Sequence, residues 1–570
     1  MKKPKWRVSE VNVPGEYACL SATVERGLKP SLVNLAALVI ASVAFAAAFP
    51  NLVFKNGLPL LAWVAYVPVF WVVRRSSFGL NIFWGAFYGY AAYGLFNYWL
   101  SVFHPLAGLI VGSIYLVYMA LLFPLLRMAL VLFPRRGYIV QWLLWMAFEY
   151  LRTQGFLAYS YGVTGYSQWR ILPLIQIADI TGVWGLSALV VFSSAWLAAA
   201  LEGAWTRPGL YGVWLKTKDF FRLEWIPAIV WLVLLLSSFV YGLVSPVDYA
   251  DARKVKTALI QHNTDPWLPS KAPTAAQALV EYRNDLRILC RLSDEALAAD
   301  PDTEFVVWSE TAFVPRIHWH VTIRDDPASW ELVKELLDYL GKKHVPFIIG
   351  NDDARRDPSI NPVWDNRVDY NAVMLFEGGE IKSLYRKLHL VPFTEHFPYE
   401  KQLPWIHKAL INADTHFWEK GTEATVFESR GIKFSTPICF EDTFGYLSRD
   451  FVRNGAELIV NLSNDAWSGS LPAQMQHLSM AVFRAVENRR SMVRSTASGQ
   501  TAAIDPNGKI LAMAEPFSES FLLAEVPIVT PNTIYTRFGD YLGKGFTLAA
   551  IALLIPGLGC YILKLHRRRS

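Results

Sequence analysis

The fold class this sequence predicts is a multi-pass α-helical membrane bundle of about eight spans. It carries an extracytoplasmic α/β domain between the seventh and eighth spans. Three observations predict it. The 570 residues are 53% hydrophobic with 22 tryptophans and a mean hydropathy of +0.25, too apolar and aromatic for a purely soluble chain of this size. Seven apolar segments crowd residues 31–246, and one more lies at 541–563. Between them, residues 250–530 change in kind: charged residues become frequent, and short β-prone runs alternate with amphipathic helical ones.

Residues 1–30 are polar, basic and without periodicity, and read as a cytoplasmic tail. The first apolar run begins near residue 32, late for a cleaved signal peptide, and no A-x-A site follows it, so it reads as a signal anchor. The apolar segments fall at roughly 32–49, 58–73, 80–100, 106–126, 138–151, 172–200 and 225–244, several of them short of the ~20 residues that cross a bilayer as a helix. Charge sets their orientation. Arg74 and Arg75 follow the second, Arg127, Arg135 and Arg136 the fourth, and Arg207, Lys216, Lys218 and Arg222 the sixth. The alternate connections carry only Lys55 or, in SVFHPLAG, no fixed charge. The positive-inside rule therefore places the basic connections and the N-terminus in the cytoplasm, and the chain emerges outside near residue 245. The span at 541–563 returns it to a basic tail, residues 564–570 (KLHRRRS begins at Lys564), so both termini lie inside.

In residues 250–530, VKTALIQ, TEFVVWSE, VPFIIGN, NAVMLFE, IKFSTPIC, AELIVNL, SMVRSTAS, GQTAAIDP and SFLLAEVPI read as strands. Amphipathic helices are expected at Thr274–Asp300 and Pro472–Arg490. The net charge of +6 reads as membrane-flanking arginine and lysine, not as a nucleic-acid footprint. The four cysteines, Cys19, Cys290, Cys439 and Cys560, are scattered and match neither a zinc site nor a disulfide framework. A Cys290–Cys439 disulfide is possible only in an oxidising compartment. The eleven histidines show no metal spacing; His389 and His477 read as hydrogen-bonding residues, and no cofactor or metal is implied.

Chemistry gathers at three strand ends. Glu310 follows TEFVVWS, Lys387 follows the strand that begins near Ile381, and Cys439 ends the run from Phe434 to Ile438. Read as strand, sharp turn and helix, the stretch around Cys439 predicts an exposed thiol at a helix N-terminus, where partial positive charge lowers its pKa. A thiol, a carboxylate and an ammonium suffice for covalent acyl transfer: thiolate attack, proton movement by the carboxylate, and cationic support of the oxyanion. An ordinary Glu310–Lys387 ion pair and a buried inert cysteine are the purely structural alternatives. Glu149 and Arg152, one helical turn apart near the outer end of the fifth span, read as a mutual pair, with a headgroup contact as the sharper alternative. HFPYEKQLPWIHKALI, with Phe397, Tyr399 and Trp405, reads either as a mobile lipid-admitting arm at the membrane surface or as a packed loop. Ala312 to His320 is a second candidate arm.

Glu310, Lys387 and Cys439, in the local sequences WSETA, YRKLHLVPFTEHFP and PICFED, resemble the Glu-Lys-Cys triad of the carbon–nitrogen hydrolase (nitrilase) superfamily. WMAFEYLR, GYSQ, IQIADITGVWGLSAL and the run QHLSMAVFRAVENRRSMVRSTASGQTAAIDPNG are similar to the membrane-embedded apolipoprotein N-acyltransferase branch. The resemblance covers about residues 32–563. It implies an αββα sandwich for residues 250–530 in a multi-pass protein of the bacterial inner membrane, with the catalytic domain on the periplasmic side. It also implies transfer of an acyl chain from a phospholipid, through a Cys439 thioester, to the amine of the diacylglyceryl-cysteine of an apolipoprotein. Carried over, Cys439 is nucleophile, Glu310 general base and acid, and Lys387 the oxyanion-stabilising cation. Glu395 and Glu441 match supporting acids, and Trp267 a tryptophan of the substrate cleft. Phe440 stands where a tyrosine is frequent, and Ser468 replaces a usual aromatic. Two other functions compete: a membrane-anchored nitrilase-type amidase, and a transporter with a regulatory outer domain. A transporter is expected to show internal repeats, and none is seen.

Overall fold

The computed structural model describes residues 27–103, 105–205, 210–265, 274–358, 366–412 and 415–569. Among these, five helices are long and apolar enough to cross a membrane: Leu28–Ala48, Ala107–Leu132, Val183–Leu201, Phe220–Val244 and Tyr541–Leu563. The other segments expected to span are shorter, broken or less apolar. The stretch at 58–73 splits into Pro59–Ala65 and Val67–Arg75, with Pro68 in the first turn of the second helix; proline has no N–H to carry the helical ladder across the junction. Phe78–Phe96 has 19 residues and Gly137–Leu151 has 15.

The segment at 172–200 begins as two single turns, Leu172–Ile175 and Ala178–Thr181, and becomes a long helix only at Val183. Gly182 makes the break with φ +61, and a Cβ there would lie 2.7 Å from the Tyr535 ring. The basic connection after the sixth segment is itself helical from Leu210, and the backbone breaks at Glu224 before continuing to Val244. Glu224 is buried there, accepting from the Tyr138 hydroxyl at 2.8 Å and pairing with Arg136 at 3.2 Å.

Small residues let the membrane helices close on one another. A Cβ on Gly85 or Gly89 would lie 2.2 Å from the Met119 or Tyr115 carbonyl oxygen, so Phe78–Phe96 meets Pro105–Leu132 backbone to backbone.

Residues 254–527 contain two six-stranded sheets face to face with helices outside, the expected α/β sandwich. The first sheet contains β1 (Lys254–Gln261), β2 (Phe305–Val307), β3 (Phe347–Arg356), β4 (Arg367–Glu377), β5 (Glu380–Arg386) and β12 (Ser520–Pro527), in the order β12-β1-β2-β3-β4-β5. The second contains β6 (Val426–Ser429), β7 (Ile432–Ser435), β8 (Leu458–Ser463), β9 (Ser491–Thr496), β10 (Ala502–Ile504) and β11 (Ile510–Met513), in the order β11-β10-β9-β8-β7-β6. The middle strands β1-β2-β3 and β7-β8-β9 are parallel, and the outer pairings antiparallel.

Period-two alternation splits the first sheet between two cores. Val255, Leu259, Phe305, Val307, Ile348, Val373 and Leu375 face the other sheet. Ala258, Ile260, Val306, Trp308, Phe347, Ile349, Met374 and Phe376 lie in a separate core with Leu286, Leu289, Leu292, Leu332, Val333 and Leu336 of helices Ala275–Ala299 and Pro327–Leu340. Across the sheets the Phe305 and Phe434 ring centroids are 5.4 Å apart.

Gly89→Val is expected to force the two membrane helices apart at Tyr115. Overpacking of this kind costs about 1–3 kcal/mol, read as a lower thermal-unfolding midpoint of the detergent-purified protein. An unchanged midpoint would contradict the close approach.

Candidate active site

Glu310 past β2, Lys387 past the edge strand β5 and Cys439 past β7 come together where the two sheets meet. Glu310 lies three residues past β2, on a turn pressed against β3. A Cβ on Gly350 would lie 2.3 Å from the Ser309 carbonyl oxygen, so no other residue fits beneath that turn. The Glu310 carboxylate has three fixed partners. Oε1 accepts from Asn371 Nδ2 at 2.8 Å and from Lys387 Nζ at 3.2 Å, and Oε2 accepts from the Asn464 backbone N–H at 2.9 Å.

Lys387 directly follows β5 and is fully buried. Its ammonium sits between two carboxylates, Glu310 and Glu395, the second at 2.8 Å. Burial pulls the Lys387 ammonium toward its neutral form, but Glu310 and then Glu395 outweigh it and hold its pKa well above the usual lysine range. Burial pushes the Glu395 carboxyl upward, against the pull of Lys387. Its Oε2 accepts from the Val391 N–H at 2.9 Å, which fixes the chain after Lys387.

Cys439 comes from the second sheet. Its φ is +49, in the left-handed region, which costs an L residue about 1–2 kcal/mol. Glu441 holds that turn. Its carboxylate accepts from the Ile438 N–H at 2.8 Å, from the Leu388 and His389 N–H groups at 2.7 and 2.9 Å, and from the Tyr385 hydroxyl at 2.8 Å. One buried acid thereby ties the cysteine turn to the lysine loop. Burial raises its pKa to about 7, opposed by those backbone N–H groups and Lys387.

The thiol itself corrects the sequence expectation of an exposed, acidified cysteine. Cys439 is only 8% exposed, and it opens a five-residue 3₁₀ turn, Cys439–Thr443, not an α-helix. The aligned dipole that would stabilise a thiolate is missing from so short a turn. Burial pushes the thiol pKa well up, Glu310 adds to the rise, and Lys387 opposes both. Burial therefore favours the neutral thiol. Cys439 and Cys290 are both free, so the disulfide considered from sequence is not formed.

Other sequence candidates fall as follows. Trp267 lies outside the described residues. Phe440 is buried, 5.9 Å from the His389 ring and 5.0 Å from Phe444, and Ser468 is buried beside the loop after β8. Phe397 is also buried, so it does not belong to a membrane-facing surface. Its ring and that of Tyr399 pack on Phe156 from the membrane part, at 6.3 and 5.4 Å. Beyond them the helix Pro404–Asn412 buries none of its residues, and Trp405 is 70% exposed.

The second candidate arm is a correction. Phe313, Ile317 and Trp319 are buried, and Asn351 binds the Phe313 and Pro315 carbonyls, so Ala312 to His320 is packed chain. The expected Glu149–Arg152 pair is a second correction. Glu149 accepts from the Thr164 hydroxyl and N–H, while Arg152 donates to Tyr115 and to the Tyr159 and Tyr161 carbonyls. Thr164 is a nearer partner, and the reversed chain after Gly155 brings its carbonyls onto Arg152.

Sequence reasoning missed Asn371, Tyr385, Ser463 and Asn464. Asn371 and Tyr385 are buried polar interruptions in strand runs, a signal visible in DYNAVMLF and SLYRK. The Ser463 hydroxyl donates to Asp465 Oδ1 at 3.0 Å.

The arrangement holds the groups that thioester chemistry requires. Residues 256–531 match the carbon–nitrogen hydrolase family model, and residues 41–196 match that of the apolipoprotein N-acyltransferase N-terminal domain. Apolipoprotein N-acyltransferase 1 of Treponema denticola is 43% identical over 93% of this chain and 96% of its own. That of Treponema pallidum is 44% identical over 95% of this chain and 99% of its own. Apolipoprotein N-acyltransferase of Borreliella burgdorferi is 30% identical over 86% of this chain and 90% of its own. With a Glu-Lys-Cys constellation at the meeting point of two sheets and relatives alike along nearly the whole length, the chain belongs to the apolipoprotein N-acyltransferase family and is an acyltransferase.

Proposed function

We propose that this enzyme takes an acyl chain from a phospholipid onto Cys439 and passes it to the N-terminal amine of a diacylglyceryl-cysteine lipoprotein. The observation that carries the reading is the buried ammonium of Lys387 between Glu310 and Glu395 beside a neutral thiol. We assign residues 250–530 as the catalytic domain, on the outer face of the bacterial inner membrane, with residues 31–246 and 541–563 as the membrane part.

The steps balance. Glu310 Oε takes the thiol proton as Sγ attacks the ester carbonyl, and the S–C bond forms. Lys387 stabilises the oxyanion; the ester C–O bond then breaks, and Glu310 protonates the departing lysophospholipid oxygen. In the second half the neutral amine attacks the thioester, and Glu310 accepts its proton. The C–S bond breaks and Sγ recovers the proton. Glu395 holds Lys387 in line, and Glu441 holds the Cys439 turn. The carboxylate of Glu310 is regenerated after each half, so one base serves both. The amidase alternative uses the same thioester with water as acceptor.

Incubation with a phospholipid of one known acyl chain should add that acyl mass to the purified protein. Hydroxylamine should remove it, Cys439→Ala should lack it, and a diacylglyceryl-cysteine peptide should discharge it as an amide. Discharge to free fatty acid alone would favour the amidase, and no adduct from any of several donors would sink the lipid-donor reading.

Glu310→Gln separates acidity from catalysis. Removing the neighbouring anion lowers the thiol pKa, so iodoacetamide should alkylate Cys439 faster at pH 8, read on the Cys439 peptide by mass spectrometry. Thioester formation should nevertheless fall about 10²–10⁴-fold, the usual worth of a positioned general base. Slower alkylation in the variant would contradict the electrostatic account.

The side of the membrane has its own test. A membrane-impermeant maleimide applied to spheroplasts should label Asp302→Cys and leave Arg135→Cys unlabelled above the background of the native cysteines. The reverse pattern would invert the topology.

A further inference from the structure

A polar cleft opens where the α/β domain meets the ends of two membrane spans. It holds about 290 Å³, its open mouth included, and none of Glu310, Lys387 and Cys439 lines it. From the membrane side come Val183 and Trp184, which open the span Val183–Leu201, and Asp540, which stands at the head of the span Tyr541–Leu563. From the α/β side come Arg484 and Glu487, on the helix Leu471–Asn488, and Tyr446. The acyl-transfer steps use none of these groups.

The charges on its wall do not balance. Glu487 is 1% exposed. Its Oε1 accepts from the Val183 N–H at 3.2 Å and from Arg484 Nη2 at 3.0 Å. Its Oε2 lies 3.0 Å from the same Nη2 but receives no hydrogen bond. Asp540 Oδ1 accepts from the Trp184 indole at 2.7 Å and from the Tyr535 hydroxyl at 3.0 Å, and among the described residues nothing donates to Oδ2. A Cβ on Gly445 would lie 2.3 Å from the Tyr535 hydroxyl and 3.1 Å from Glu487 Oε2, so the two carboxylates flank that hydroxyl. Arg484, the one guanidinium on the wall, also donates to the Tyr166 hydroxyl and the Thr443 carbonyl. Arg449, beside Gly539, donates to the Thr536 and Arg537 carbonyls and pairs with Asp450. Two carboxylates against one guanidinium leave one negative charge. Burial pushes the Glu487 carboxyl up to about 7; Arg484 opposes the rise and Asp540 adds to it.

We propose that this cleft holds the primary ammonium of a phospholipid headgroup, with Glu487 Oε2 and Asp540 Oδ2 accepting its N–H groups. A primary ammonium brings both things the wall lacks, one positive charge and several N–H donors. Aromatic rings favour cations, and Tyr166, Trp184, Tyr446 and Tyr535 all line the cleft. Position selects a lipid over a soluble amine. The walls run directly into the first residues of two spans, so the ligand lies at headgroup depth, where tryptophan and tyrosine gather. This lipid is not the acyl donor, since the triad is absent from the cleft. It ties Glu487 of the α/β domain to Asp540 of the membrane part. Arg484 extends the tie to Thr443, the last residue of the turn that Cys439 opens. The site rests on the placement of the two spans in the bilayer and is independent of the acyl-transfer reading.

The test uses the full chain carrying Cys439→Ala, which prevents turnover, and reads retained lipid by native mass spectrometry from detergent. Phosphatidylethanolamine, phosphatidylglycerol and phosphatidylcholine with the same acyl chains are titrated separately. Phosphatidylethanolamine should fill one site about tenfold or more tighter than either of the others, because one lacks the cation and the other the N–H donors. Adding Asp540→Asn should weaken that site about 10–100-fold, the worth of a hydrogen bond to a charged group, and leave any lipid held at the Cys439 cleft unchanged. Glu487→Gln should act in the same direction. Phosphatidylethanolamine should also raise the thermal-unfolding midpoint, and Asp540→Asn should remove that gain. Equal retention of the three lipids, or phosphatidylethanolamine binding unmoved in both variants, overturns the site. Displacement by free ethanolamine at comparable concentration would assign the cleft to a soluble amine and overturn the lipid. If neither variant folds, the headgroup ranking decides. No step of this test involves acyl transfer, so a missing acyl adduct on the unmutated protein would sink the lipid-donor reading and leave this site standing.

Discussion

The site depends on one buried ammonium shared by two carboxylates. Lys387 is 3.2 Å from Glu310 and 2.8 Å from Glu395, and no water-exposed surface reaches it. A lone charge in such a place would shift to its neutral form; two opposing charges prevent that. The excess of carboxylate over ammonium then decides the state of the thiol. Burial raises the Cys439 thiol pKa, Glu310 adds to the rise and Lys387 opposes it, so in the proposed mechanism the thiol is deprotonated as it attacks. The same arithmetic casts Glu310 as the base of the proposed mechanism. It also explains the dense fixing of Glu310 by Asn371, Lys387 and the Asn464 N–H, since a base that must act at one geometry cannot wander.

That arrangement requires two sheets. Glu310 and Lys387 come from strand ends of the first, and Cys439 and Asn464 from those of the second. Neither sheet alone holds both nucleophile and base. The membrane part seats the second sheet more firmly than a tether would. Arg489 binds Asp179 at 2.6 Å, Arg484 binds the Tyr166 hydroxyl at 3.0 Å, Glu487 accepts from the Val183 N–H, and Gln476 accepts from the Trp99 indole. All four catalytic-domain partners come from one short region, residues 476–489, and the helix Leu471–Asn488 buries every residue after its first. A soluble amidase held by a single anchor has no use for such a seat. An enzyme that N-acylates lipoproteins does, because both donor and acceptor are held in the bilayer and the thioester must be kept from water.

Much of this was legible in the chain. Apolar runs gave the membrane helices, and period-two runs gave most strands, because each of those strands is buried on at least one face. The short β6 and β11 escaped notice: VFES and ILAM have only four residues each, with exposed members. Span number was less legible, since Pro68, Pro173 and Gly182 divide segments whose hydropathy is continuous. Glu310, Lys387 and Cys439 stood out at strand ends, whereas Asn371 and Tyr385 lay inside runs that read as apolar. The Glu149–Arg152 pairing failed for a different reason. Helical spacing makes two residues neighbours, but the returning chain at Tyr159–Thr164 offers both of them closer partners.

The misread cysteine is the most instructive case, because the sequence there truly resembles a helix start. Acids at Glu441 and Asp442 suggested a first turn stabilised by its dipole. In the structure those acids serve two other purposes. Glu441 gathers N–H groups from Ile438, Leu388 and His389, and Asp442 binds His477 and Arg494. Their charge is spent holding a left-handed cysteine in place, and the helix dipole that would have acidified it is absent. A permanently ionised thiol would attack any electrophile that diffused in. In the proposed mechanism a neutral thiol becomes nucleophilic only when Glu310 is aligned and a carbonyl sits against Lys387, which couples reactivity to occupancy. For an enzyme that must wait between two lipid substrates, geometry, not acidity, is the safer control.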